Sequence, residues 1–230
     1  MIFPKFKYFV FTTLVFFSVP QVLFAATVLQ IDMDYLLDKA RLIFEGEVVS
    51  NEAKWSSDKT TITTFITFRV KDVIKGNAPA STVTLEFSGG TVGETGLHIS
   101  SMVYPLVGEN GIYFLENPGQ RFINPLLGWG QGHFRIKKDG KGTEWMLTEG
   151  GAPVLGLDVT VMNGADRGNA GTPSFPPFSH GVARGVQAGK SGDALSAAME
   201  KKYFKDTLKA RLAVVKTNAQ STHMPEEKQP

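Results

Sequence analysis

The most constraining stretch of this 230-residue chain is Thr60 to Ile74, TTITTFITFRVKDVI, in which ten of fifteen residues are β-branched. Branching at Cβ stiffens χ1 and crowds a helix, whereas on a pleated strand such side chains pack well. Ile62, Ile66, Phe68 and Val70 share one parity, which predicts a long strand with one buried face. Lys75-Gly76-Asn77-Ala78-Pro79 ends it with turn formers, and Val83, Leu85 and Phe87 then alternate within Thr82 to Phe87. Two adjacent antiparallel strands are expected.

Similar signals recur. LIFEGEVVS, from Leu42 to Ser50, reads as a strand with a bulge at Gly46. Gly111 to Leu115 is entered through Asn110-Gly111, a hairpin-favouring pair. SGGTVGETG reads as a hairpin turn, and short runs at Phe122–Leu127, Gly132–Lys137 and Thr143–Leu147 keep the spacing of barrels and sandwiches. Two segments have helical spacing instead: Met33, Leu36, Leu37 and Ala40 behind Asp32, and Leu195, Met199, Tyr203, Phe204, Leu208, Leu212 and Val215 within 193–216.

The fold class is therefore mainly β: a five- to six-stranded antiparallel Greek-key barrel over residues 26–162, with a short N-terminal helix. Seven Gly and three Pro mark 163–192 as a linker, 193–216 as a long C-terminal amphipathic helix begun by Ser191 or Asp193, and 217–230 as a flexible tail.

Residues 1–25 have the basic start, apolar stretch and small-residue end of a secretory signal, with cleavage expected after Ala25. Pro20 and Gln21 break the apolar stretch short of the ~20 residues that a membrane anchor needs. The product is expected to be periplasmic or secreted, without an integral membrane segment after cleavage. Lys5 and Lys7 leave with the leader, so 22 basic residues face 22 acidic ones, a balance unsuited to electrostatic capture of nucleic acid. The chain has no cysteine, which removes disulfides, thiolate metal sites and cysteine nucleophiles.

Motifs for chemistry are sparse. Gly189-Lys190-Ser191 ends like a phosphate loop, but Arg184 stands where the first glycine is required. His98, His133, His180 and His223 lie more than thirty residues apart with no metal-ligand spacing around them, and His98 and His133 fall on polar parities that fit solvated positions. No GxSxG elbow occurs. No cofactor or metal is expected. The most distinctive segment is NPLLGWGQGHFRI, where Trp129 stands between glycines beside Gln131 and His133. A rigid aromatic on a loop makes a contact anchor; equally, a tryptophan there can plug the end of a barrel. The basic residues of 193–216 would suit either an anionic partner or a solvated outer face.

The succession ARLIFEGEVVS, TTFITFRVKDVIKG, TVTLEFSGG and GENGIYFLEN, with V-x-x-V-I-K-G at Val70 to Gly76, resembles the netrin-like domain shared with the tissue inhibitors of metalloproteinases. It is also similar to a group of exported bacterial proteins carrying a GWGQG-type segment. The resemblance covers about Ala26 to Phe134 and implies a five-stranded barrel of the oligonucleotide/oligosaccharide-binding shape. It further implies a secreted metalloprotease as partner, with the mature amine and carbonyl of Ala26 and the hydroxyl of Thr27 chelating its zinc. In that family a disulfide holds this wedge in place; here no cysteine is available, so the wedge is not preorganised.

The functional expectation is an exported, non-catalytic binding module that contacts an envelope or secreted protein, or a glycan, through Ala26, Thr27, Trp129, Gln131 and His133. The alternatives are an exported hydrolase with a dispersed site, His98 or His133 being its base, and a structural envelope protein docking through its C-terminal helix.

Overall fold

The structure is a computed structural model that describes residues 28–78, 80–117, 119–158 and 181–221. Helix α1 (Met33–Lys39) is followed by strands β1 (Leu42–Trp55), β2 (Ile62–Lys75), β3 (Thr82–Ser88), β4 (Gly90–Val92), β5 (Thr95–Leu97) and β6 (Asn110–Leu115). Then come β7 (His133–Lys138), β8 (Glu144–Thr148), β9 (Val154–Leu157), β10 (Val186–Ala188) and helix α2 (Lys201–Ser221).

The class is mainly β. Six strands form one antiparallel sheet in the order β3-β2-β1-β6-β7-β8, and β6-β1-β2-β3 is a Greek-key arrangement in which the fourth strand returns beside the first. The run of β-branched residues forms β2 as expected, paired with β3, and the β1–β2 register shifts between Glu45 and Gly46. The glycine-rich 88–96 stretch folds into the β4–β5 hairpin.

The expected barrel does not close. β3 and β8 are the two ends of the sheet and do not pair with one another. The reason lies in what each edge binds instead. The Met146 amide of β8 donates to the Met199 carbonyl, with Trp145 bridged to Glu200, while the Ser88 amide of β3 donates to Ile123. The open sheet buries side chains on both of its faces.

Alternation in β1 and β6 divides those side chains between two cores. Ile43, Ile112 and Phe114 join Phe134 and Met146 beneath Leu36 and Leu37 of α1 and Phe204, Leu208 and Leu212 of α2. On the other face Phe44, Phe68 and Tyr113 pack with ring centroids 4.6–5.6 Å apart, among Val48, Ile66, Val83, Leu85, Phe87 and Leu115. Each fully buried side chain of this size contributes about 1.5–3 kcal/mol.

The C-terminal helix starts later than its apolar stripe predicts. Residues 194–200 are recruited as a strap, with Leu195–Ala197 in a single 3-10 turn and Ala194 and Ala198 extended. The Met199 amide donates to Val154, so the chain turns helical only at Lys201. Its basic face then meets the sheet. Lys201 and Lys205 reach the buried Glu45 at 2.8 and 2.5 Å; they also pair with Glu144 and Asp72, and Arg211 pairs with Asp34. Burial raises the Glu45 carboxyl pKa, but the hydrogen bonds and charges of the two lysines outweigh it and hold it below the usual range.

Of the expected linker, residues 163–180 lie outside the described residues, as do the leader, Ala26, Thr27 and residues 222–230. Residues 181–192 are part of the fold: β10 pairs with β9, Ala183 is buried, and Arg184 forms an ion pair with Asp32. α2 continues through 217–221, the first part of the expected tail.

Candidate functional site

β7 places His133, Arg135 and Lys137 on one face of the sheet by the two-residue period of a strand, and Phe134 and Ile136 on the face under α2. Cross-strand partners share a face. His133 is therefore opposite Tyr113, and Arg135 lies between Gly111 and Leu147. The imidazole stacks on the Tyr113 ring with centroids 5.0 Å apart.

His133 is 1% exposed, contrary to the solvated position that its parity suggested. A second layer covers it. Its Nε2 lies 2.7 Å from Glu109 Oε1, and Glu109 also meets Arg135 Nε at 3.3 Å and the Tyr113 hydroxyl at 3.4 Å. Its Nδ1 is 3.8 Å from Glu149 Oε1 and makes no hydrogen bond among the described residues. Burial alone would lower the histidine pKa; the hydrogen bond to Glu109 and the charge of both carboxylates override it and leave the pKa above the ordinary value. For Glu109, burial raises the pKa, and His133 and Arg135 together bring it below the carboxylate norm. The imidazole is thus flanked by two carboxylates that favour its protonated form, with Arg135 at its solvent side.

The glycines around Trp129 are explained by contact. A Cβ at Gly130 would lie 2.3 Å from Glu149 Oε2, and one at Gly132 would lie 2.3 Å from the Leu127 carbonyl oxygen. Trp129 itself is half-buried at φ 58° and opens a short 3-10 turn, Trp129–Gly132. Gln131 is 0% exposed. Its carbonyl accepts from the Ile31 amide at 2.8 Å and its amide donates to Leu29 at 2.9 Å, so it clips the segment before α1 to the sheet. Gln131 and His133 are thus internal groups that do not reach the surface, Trp129 lies partly at it, and His98 is exposed away from this cluster. Ala26 and Thr27 lie outside the described residues.

Sequence reasoning missed the turn that covers the cluster. Asn110-Gly111 does not form the hairpin turn; it starts β6, and the chain reverses one step earlier, where the Glu109 amide donates to Leu106 and Gly108 has φ 86°. This is the geometry of a type II turn, whose third position requires a positive φ. The turn is fixed on β1 because the Gly108 amide donates to Val48 and the Val48 amide donates to Glu109. Asn51 adds a side-chain bond to the Pro105 carbonyl at 2.9 Å. At its tip Leu106 and Val107 are 63% and 64% exposed. They border a groove of about 480 Å³ that is also lined by Glu109, Asn110, Arg135, Lys137, Leu147 and Gly151. The alternation His133-x-Arg135-x-Lys137 was the available signal for this surface; nothing in the sequence paired it with Leu106 and Val107.

Chemically the arrangement offers two apolar side chains on a rigid turn and two cations, one of them anchored through a half-buried carboxylate. Among the described residues no group of three or more histidines and acids is placed to hold a metal ion. No helix among these residues is long and apolar enough to cross a membrane. No family model matches the chain, and no curated protein or solved structure is significantly similar to it.

Proposed function

We propose that this chain is an exported, non-catalytic binding module that contacts a protein of the cell envelope through the Leu106–Glu109 turn and the groove beside it. The observation that carries this reading is the pair Leu106 and Val107, about two-thirds exposed on a turn bonded to β1 from both sides. Exposed aliphatic side chains on a rigid loop lose little entropy on binding and bury apolar area against a partner. Glu109, itself held by the buried His133, orients Arg135 from within, which adds a preorganised polar contact.

A hydrolase acting through His133 draws less support. Its Nε2 is taken by Glu109, its Nδ1 faces Glu149 without a hydroxyl partner among the described residues, and solvent does not reach it. Docking through the basic face of α2 is likewise disfavoured, since Lys201, Lys205 and Arg211 are engaged by acids of this same chain.

The test is a photo-crosslinking side chain placed at Val107 in cells that express the protein, with the exposed Leu155 as control position. A discrete crosslinked envelope protein from Val107 and none from Leu155 is expected. Equal, diffuse labelling from both would remove the turn as the contact surface.

A further inference from the structure

We infer that the groove takes an extended acidic segment of a partner protein, with its carboxylates on Arg135 and Lys137 and an aliphatic side chain against Leu106 and Val107. This rests on the turn being the contact surface and specifies what it contacts.

Three observations converge on that chemistry. First, Arg135 and Lys137 are two residues apart on one face of β7, which sets them about 7 Å apart along the strand. An extended peptide repeats its own same-face side chains at that interval, so acids at positions i and i+2 meet both cations at once. Second, the acid in the groove leaves one of the two cations unmatched. Glu109 is half-buried and shared between His133 and Arg135, so Arg135 keeps its other guanidinium N–H groups for a second carboxylate, while Lys137 is exposed and has no ion-pair partner among the described residues. Third, the wall beside these cations is aliphatic, which a compact inorganic anion would leave uncovered and an apolar residue next to the acids would bury. The segment lies across the face of the sheet and is not an added strand, because the neighbouring edge of β8 is already bonded to the 199–200 strap.

The experiment is selection of a random phage-displayed dodecapeptide library on the purified chain. Binding of the selected peptides is then measured by fluorescence anisotropy for wild type, Lys137→Glu and the double variant Leu106→Ser/Val107→Ser. All three substituted positions are exposed, and thermal unfolding checks that the variants fold. The expected pool carries Asp or Glu at i and i+2 beside a Leu, Ile or Val. Its binding weakens with added salt, falls about tenfold or more on charge reversal at position 137, and is also lost in the double variant. Peptides that depend on Leu106 and Val107 but are not acidic, and that bind Lys137→Glu as well as wild type, would overturn this inference and leave the turn as contact surface. A pool indifferent to all three substitutions, or binding of a sulfated oligosaccharide alone, would overturn the acidic-peptide assignment, and the indifferent pool would count against the turn as well.

Discussion

His133 Nε2 lies 2.7 Å from Glu109 Oε1, and the other oxygen of the same carboxylate meets Arg135 Nε at 3.3 Å, so a histidine closed to solvent holds a groove cation through one acid. Removing the acid should therefore be felt both in the fold and at the surface. Glu109→Gln is expected to cost about 3 kcal/mol of unfolding free energy, since it removes the charged partner that a buried histidine and Arg135 share. Urea unfolding at neutral pH measures it, and a loss under 0.5 kcal/mol would show that the pair contributes little.

The same cluster sets the pH dependence of stability. His133 has its pKa raised in the folded state, so its contribution is complete below the unfolded value of about 6.5 and is lost as pH rises through the folded value. Glu109 and Glu45 have theirs lowered, so their contributions are present above about 4.3 and are lost as pH falls through the folded values. Stability is expected to be greatest between about pH 4.3 and 6.5 and to decline on both sides. In His133→Gln the decline above about pH 6.5 should flatten. Urea midpoints from pH 4 to 9 for both proteins supply the comparison, and an unchanged alkaline limb in the variant would contradict the assignment.

Gly130 packs directly on the second carboxylate of the cluster, with a built Cβ only 2.3 Å from Glu149 Oε2. Gly130→Ala should push the flexible end of Glu149 away from His133 and destabilise by about 1 kcal/mol, through the weakened cluster and not through a main-chain clash. Gly140, whose Cβ would meet nothing within 4 Å, is the matched control and should tolerate alanine within about 0.5 kcal/mol. Thermal unfolding of the two variants side by side decides the point; equal melting temperatures would mean that Glu149 is not packed as described.

Helix α2 is part of the fold and not an appendage. Phe204 and Leu208 are fully buried against Phe134 and its neighbours, and Lys201 and Lys205 balance the buried Glu45. Phe204→Ala should cost about 3–5 kcal/mol. A chain ending at Gly192 should lack a cooperative unfolding transition, because one core loses its cover and Glu45 loses both countercharges. A cooperative transition in that truncation, followed by circular dichroism, would show the sheet to be self-sufficient.

The β class, the bulge beside Gly46 and the β2–β3 pair were legible because they follow from local alternation, which one buried face imposes on a strand. Open edges were not legible. Whether β3 meets β8 depends on segments around Ile123 and Met199 that have no strand period of their own. The late start of α2 has the same origin, since the apolar residues of 194–200 fit a helix stripe but are used as a strap along β8. At the site, His133 shared its parity with two exposed cations, and polar parity ordinarily means solvent; the turn that buries it is contributed by Leu106 to Glu109, more than twenty residues away. Gln131 was recognisable as unusual between its glycines, but its bonds to Leu29 and Ile31 span about one hundred residues, a separation that no local pattern encodes.

The most direct measurement is the affinity of the envelope protein crosslinked at Val107 for wild type and for Leu106→Ser/Val107→Ser, by isothermal titration at matched melting temperatures. Loss of two exposed aliphatic anchors from a rigid turn should weaken binding by about thirtyfold or more, equivalent to about 2 kcal/mol, with no change in unfolding. Equal affinities for the two proteins would contradict the claim that this chain engages its partner through the turn.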